Sequence, residues 1–196
     1  MHADLEKLKA NIYSIVNLTF SEWELLTNIV EEVIIKKNDF FLKEDMICDS
    51  LAYVNKGALI YYKTLDNANE ITTDFALEGE WVTNNHSRIN SLPSHLNIKA
   101  IEDSALLIVR QKDILNLFDK IPALERFYRI LIEQAYVKLV QLSIDLQTLS
   151  ATERYVKLLH TYPGILQKLP LYHIANYLGV APKSLSRIRN SVFSPK

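Results

Sequence analysis

The sequence predicts an α+β chain: an antiparallel β-barrel or jelly roll, then one long helix, then a C-terminal helix-turn-helix. Three observations predict it. Short β-rich runs follow one another between Lys36 and Arg110 with only turn signals between most of them. From Ala123 to about Leu149 a helical repeat runs without Gly or Pro. Leu171–Asn190 then places Ala, Gly and Pro where two tightly turned helices need them.

Taken in order, residues 5–34 read as one or two helices, because Leu5, Leu8, Ile12, Ile15 and Val16 recur at helical spacing. A restart falls at Thr19-Phe20-Ser21-Glu22, with Ser21 as N-cap and Glu24 closing a capping box. Beyond Lys36 the period changes. Asn55-Lys56-Gly57 is a turn signal before the β-rich run Ala58–Leu65, and Asp66–Asn69 is a second turn. Ile71, Thr73, Phe75 and Leu77 alternate with Thr72, Asp74 and Ala76, which predicts one apolar and one more polar face. Gly79 marks the next turn. Glu80–Asn97, rich in Asn, Ser and His and holding Pro93, reads as a long functional loop or a short inserted helix. Ile98–Ile101 and Ala105–Val109 are further strands about the turn Glu102-Asp103-Ser104.

The helical period returns after Arg110. Ile114, Leu115, Leu117 and Phe118 fit a short helix ending before Pro122. In the following stretch Leu131, Ala135, Leu139, Leu142, Leu146 and Leu149 step by three or four along one face. That seam belongs to a helix about 40 Å long at roughly 1.5 Å per residue. A barrel surface rarely needs so long a cover, which favours pairing with a second copy in a homodimer. The expected domains are residues 1–120, the N-terminal helices and sensor barrel; 121–149, a dimerisation helix; and 150–196, the helix-turn-helix.

Composition narrows the function classes. Hydrophobic residues make up 48% and charged residues 23%, an ordinary globular balance. No apolar run reaches the roughly 20 residues that cross a bilayer. The first ten residues carry Asp4, Glu6, Lys7 and Lys9 and lack the apolar core of a signal peptide. One cysteine, Cys48, excludes a disulfide within the chain and a cluster held by several thiolates. These features predict a cytoplasmic protein with no membrane partner. The net charge of −1 hides an asymmetry: residues 150–196 hold seven cations and one acid, a net of +6, against −7 for the rest. A basic tail behind an acidic body predicts a polyanionic partner for the tail alone.

Within that tail, Ala175 supplies the small side chain where two helices approach, and Gly179 supplies the left-handed turn. Ile174, Leu178, Val180, Leu185 and Ile188 fall on the shared apolar face, and Pro182 suits the first turn of the second helix. Ala181 breaks a local rule by standing where a capping Ser or Thr is preferred. Lys183, Ser184, Ser186 and Arg187 then point away from the apolar face, with Arg189 near the end. A helix of this kind lies in the major groove of double-stranded DNA, and Arg187 is the expected base reader because Arg meets guanine bidentately. Lys183, Ser184 and Ser186 suit a base or a phosphate, and Arg189 and Lys168 suit phosphates. A purely structural helical hairpin has the same spacing; the charge asymmetry favours DNA.

This order of parts resembles the Crp/Fnr family of transcription regulators over about Phe20 to Asn190. The likeness is carried by Leu51-Ala-Tyr-Val-Asn-Lys-Gly57-Ala-Leu, Ile101-Glu-Asp-Ser-Ala-Leu-Leu-Ile, Glu153-Arg154-Tyr155 and Ile174–Arg189. It implies a cyclic-nucleotide-binding-like barrel that senses a small molecule, a homodimer on a pseudo-palindromic operator, and RNA polymerase as a further partner. Half-sites would lie about 34 Å apart. Cyclic-nucleotide members present a Gly-Glu pair and an Arg followed by a small residue. The matching positions here are Asn84-Asn85 and Leu92-Pro93-Ser94-His95. Asn84, Asn85, Arg88, Ser94 and His95 are the residues expected at an effector pocket, and the altered loop argues against cyclic AMP, leaving a barrel that binds another effector or none.

Neither a cofactor nor a metal is expected. His2, His86, His95, His160 and His173 lack the setting of a haem ligand, with His173 expected to pack or to touch phosphate. The expected strands bear no histidine and no paired carboxylates, which excludes a metal-dependent barrel enzyme. The alternative to a DNA-binding regulator is a ligand-binding module whose C-terminal helices contact a protein.

Overall fold

The computed structural model describes residues 5–67 and 69–193. Its strands are β1 (Glu31–Ile35), β2 (Phe40–Leu42), β3 (Ser50–Lys56), β4 (Ala58–Thr64), β5 (Glu70–Leu77), β6 (Trp81–Val82), β7 (Asn97–Ala100) and β8 (Ser104–Arg110). They pair antiparallel in two four-stranded sheets, ordered β1-β8-β3-β6 and β2-β7-β4-β5, which is a jelly roll. Its interior is built from alternate residues of facing strands, including Ala52, Val54, Leu59, Ala76, Val82, Ile98, Leu106 and Ile108. Gly57 joins β3 to β4 at φ 102°, and a Cβ there would stand 2.2 Å from Ser104 Oγ. No other residue fits that turn.

Helices cover the outer faces of both sheets. They are α1 (Glu6–Tyr13), α2 (Phe20–Thr27), α3 (Asn85–Asn90), α4 (Gln111–Lys120), α5 (Pro122–Thr148), α6 (Ala151–Thr161), α7 (Ile165–Lys168), α8 (Leu171–Tyr177) and α9 (Pro182–Phe193). Outside the first sheet, Tyr53 and Leu107 pack with Leu8 and Ile12 of α1, Leu26 of α2, Leu117 of α4, and Leu124 and Phe127 of α5. Two expectations change here. Residues 31–34, expected within the N-terminal helices, belong instead to the short strand β1 against β8. The cap of α2 is Thr19, whose side chain accepts from Glu22 N–H while Glu22 reaches back to Thr19, so the box begins two residues before Ser21.

The second sheet is apolar on both sides. Leu59 and Ala76 face the interior, while Ile60, Tyr62 and Phe75 face outward into a cluster with Tyr155, Leu158, Ile165, Leu169, Ile174, Ala175, Leu178 and Leu185. The C-terminal helices are thus seated on β4 and β5. The simple alternation expected for β5 fails because its register with β4 shifts between Tyr61 and Tyr62, leaving Thr73 as the extra residue. Upstream of this bulge Thr72 is 1% exposed and Ile71 is 40% exposed, the reverse of the expected pattern.

α5 begins at Pro122, in the first helical turn. Its opening turns bury Leu124 and Phe127 against the barrel; farther along, Tyr136, Val137, Leu139, Val140, Ile144 and Leu146 are exposed. Leu131 of the expected seam joins the N-terminal cluster, and Ala135, Leu139 and Leu142 border a cavity. Ser150 restarts the chain as α6 with a second capping box, closed by Glu153. Gly57→Ala combines a disfavoured φ with a backbone and side-chain clash at Ser104. It should lower stability by about 2–3 kcal/mol, read as an earlier urea midpoint.

Candidate nucleic-acid interface and junction cavity

α8 and α9 meet at a turn whose geometry follows from its residues. Gly179 has φ +67°, its N–H donates to Asn176 O at 2.9 Å, and Val180 N–H donates to Ala175 O at 2.9 Å. This pair of bonds is the Schellman ending that glycine permits. Arg154 of α6 secures the turn from outside, its Nε donating to Leu178 O at 3.1 Å and its Nη1 to Leu149 O at 2.6 Å. Ala181 O accepts from Leu185 N–H at 3.0 Å and opens α9. Leu185 is fully buried, and Ile188 and Val192 pack beside it.

The opposite face of α9 carries the expected polar residues. Lys183, Ser184, Arg187 and Arg189 are exposed, and Ser186 is half-buried with its hydroxyl donating to Pro182 O at 3.1 Å. Lys183, Arg187 and Arg189 form no ion pair with a described residue. Asn190, not singled out from the sequence, shares this side, since positions 183, 186, 187 and 190 are neighbours on a helix. Lys168 differs: its Nζ pairs with Glu102 Oε1 of the barrel at 3.2 Å.

α8 faces the edge strand β5 instead of solvent. Tyr172 OH and Asn176 Nδ2 both donate to Glu70 O, at 2.6 and 3.1 Å, and His173 Nδ1 lies 2.7 Å from Thr72 Oγ1. Where α5 passes between the barrel and these helices a cavity of ≈ 580 Å³ opens. Tyr61, Asp74, Phe75, Glu80, Trp81, Asn85, Tyr128, Lys138 and Tyr177 line it.

Residues 32–121 match the family described as the cyclic nucleotide-binding domain. Among solved structures, FixK2 from Bradyrhizobium japonicum superposes with a TM-score of 0.73 at 17% identity, covering 85% of each chain. A transcriptional regulator assigned to the Crp/Fnr family, from Eubacterium rectale, gives 0.67 at 20% identity over 90% of this chain and 84% of that one. The fold is that of the Crp/Fnr regulators. CLP from Xanthomonas campestris, described as c-di-GMP responsive, shares this Crp/Fnr fold with a TM-score of 0.66 at 16% identity, over 90% and 92% of the two chains. No curated protein matches the sequence.

Within this Crp/Fnr fold most residues expected at an effector pocket are engaged with one another. Asn84 caps α3 by accepting from Ser87 N–H at 3.2 Å, and its Nδ2 donates to Ser94 Oγ at 2.8 Å. Ser94 Oγ donates to Leu96 O at 2.7 Å. Arg88 is 4% exposed, donating to Gln111, to Tyr128 OH and, at 2.8 Å, to Asn85 Oδ1. His95 is exposed and its ring stands edge-on to His86, 5.3 Å between centroids. Only Asn85 of the five borders the cavity. The reason is local: loop residues that satisfy a helix cap and buried carbonyls look, in sequence, like ligand contacts. His2 lies outside the described residues; among those described no cluster of His, Cys, Asp and Glu is arranged to hold a metal. No described helix is long and apolar enough to cross a membrane.

Burial, with Lys99 nearby, lowers the pKa of His173, and Glu70 opposes this only in part. The unfolded chain therefore binds the proton first. Stability contributed at this contact is present above the ordinary histidine value of about 6.5 and is lost as pH falls through the lower folded value. His173→Gln should flatten the loss of thermal stability on acidification below about pH 6.5. An unaltered slope would assign that acid sensitivity to another group.

Proposed function

We propose that the chain is a sequence-specific DNA-binding transcription regulator of the cytoplasm that acts as a homodimer. The observation that carries this reading is the outward face of α9. Lys183 and Arg187 stand there exposed and without an ion pair to any described residue, while the other face of the same helix is buried and the exposed Arg189 lies on its flank. Surface cations gathered without acidic neighbours are the footprint of a phosphate backbone. Arg187 is the base reader, Lys183, Ser184, Ser186 and Asn190 approach bases or phosphates beside it, and Arg189 contacts phosphate. Lys168 reaches phosphate only on leaving Glu102.

The exposed stripe of α5 supports the dimer. Ile132, Tyr136, Leu139 and Leu146 fall on the three-and-four spacing of a coiled-coil seam that Ser143 interrupts, and the last three are exposed. Two copies of α9 related by that seam would address half-sites about 34 Å apart.

The barrel is a sensor whose effector is not cyclic AMP. Asn84, Ser94 and Arg88 are occupied by internal partners, and Asp74 and Glu80 border the cavity where a phosphate would need cations.

Selection of bound duplexes from a random pool should return a pseudo-palindrome. Against that operator Arg187→Ala should weaken binding by about 1–3 kcal/mol, and affinity should fall steeply with salt. Unchanged affinity in the variant would remove Arg187 from base reading, and a salt-independent signal would favour a protein partner. Cyclic AMP should leave the melting temperature where it is; a clear rise would return it as the effector.

A further inference from the structure

The junction of barrel, α5 and C-terminal helices holds more negative charge and aromatic surface than its own chain neutralises. Lys138 Nζ of α5 lies 3.4 Å from Asp74 Oδ1. The same ammonium stands 5.4 Å from the centroid of Phe75 and 5.8 Å from that of Tyr162. Phe75 meets Tyr162, the residue after α6, and Tyr177 of α8 edge-on, each at 5.0 Å, so three rings gather as one box with the Lys138 ammonium over Phe75 and Tyr162. Glu80, beside it, is bonded among the described residues by neutral donors: Oε2 accepts from Leu77 N–H at 2.8 Å and Oε1 from Tyr162 OH at 3.2 Å. One lysine thus faces two carboxylates.

The surrounding groups feel the same field. Burial lowers the pKa of Lys138, but Asp74 foremost outweighs it and holds the ammonium above the usual lysine range. Burial and then Asp74 and Glu80 act together on Tyr177, pushed up to about 12, with Lys138 opposing. Arg88 is sealed behind Tyr128 and Asn85. On the other side of Lys138 the guanidinium of Arg154 is committed to the carbonyls of Leu149 and Leu178, and Lys157 to Asp145. An anionic ligand would meet repulsion here, whereas a cation would meet ring faces and carboxylates. The cavity's ≈ 580 Å³ admits a ligand of metabolite size.

We propose that this junction is a binding site for an organic cation, an amine or quaternary ammonium on an aromatic or alkyl body. Its charged head enters the box of Phe75, Tyr162 and Tyr177 in competition with Lys138, and its body lies toward Trp81 and Tyr128. The proposal rests on the barrel being a sensor and is independent of whether α9 reads DNA. Because Tyr162 directly follows α6 and Tyr177 lies in α8, occupancy is felt directly by the helices seated on β5.

The test is calorimetric titration of the full-length protein with phenethylamine, with its trimethylammonium derivative, and with 3-phenylpropionate as a similar body of opposite charge. At least one of the two cations should bind about tenfold more tightly than the carboxylate. Asp74→Asn and Glu80→Gln should each weaken the cation about fivefold, and Lys138→Met should strengthen it, because the resident competitor is gone. Near-UV circular dichroism checks that each variant is folded; if a carboxylate variant is not, the Lys138→Met result decides. Equal or tighter binding of 3-phenylpropionate, no binding of either cation, or weaker cation binding by folded Lys138→Met overturns the proposal. Duplex binding measured on the same samples reports separately on the DNA-binding reading.

Discussion

A sheet that is apolar on both faces has to be covered twice, and the placement of every C-terminal helix follows from that constraint. Ile60, Tyr62 and Phe75 point away from the barrel interior and are nonetheless buried. Exposing each would cost roughly 1.5–3 kcal/mol, so helices that leave this face without a substitute cover lose several kcal/mol together. The barrel and the helix-turn-helix therefore behave as neighbours bound by a shared core, not as beads on a linker. α5 has to cross from the covered face of one sheet to the covered face of the other, and its crossing leaves the junction cavity.

Polar contacts give this apolar seat its register. β5 is an edge strand, and an open carbonyl on such an edge invites pairing with another chain. Glu70 O is instead taken by two side chains of α8. Lys157 of α6 pairs with Asp145 of α5 at 2.5 Å, and their hydrogen bond, helped by Gln141, holds the Asp145 carboxyl below its usual range. Together with Arg154 on the carbonyls of Leu149 and Leu178, this fixes the angle at which the chain leaves α5.

How far the sequence could be read depended on how local each cause was. The helix-turn-helix was legible because Ala175, Gly179 and Pro182 answer steric demands set within a few residues. The N-terminal strand was not, since Glu31–Ile35 has one buried residue and takes its conformation from pairing with β8. The cap at Thr19 was hidden behind Ser21 because both are hydroxyl residues with Glu three positions on, and spacing alone does not separate them. The run Ala58–Tyr62 did carry a sign of two-sided burial in its lack of polar alternation, and only the identity of the second cover was hidden. The junction cavity left no trace in any one segment, since Asp74, Glu80, Lys138, Tyr162 and Tyr177 lie far apart in sequence or on separate elements.

The extra residue at Thr73 divides β5 into two lengths with different obligations. Downstream, Ala76 helps to close the sandwich; upstream, Thr72 is turned toward His173 of α8. Each length has its own phase, so side-chain identity along the strand is open to drift while residue count is not. With the bulge kept, losing one position upstream of Thr73 would bring Ile71 into the place of Thr72 and take the hydroxyl away from His173. Insertions and deletions in this family of shapes should therefore gather in the turn before Glu70 and spare the strand itself.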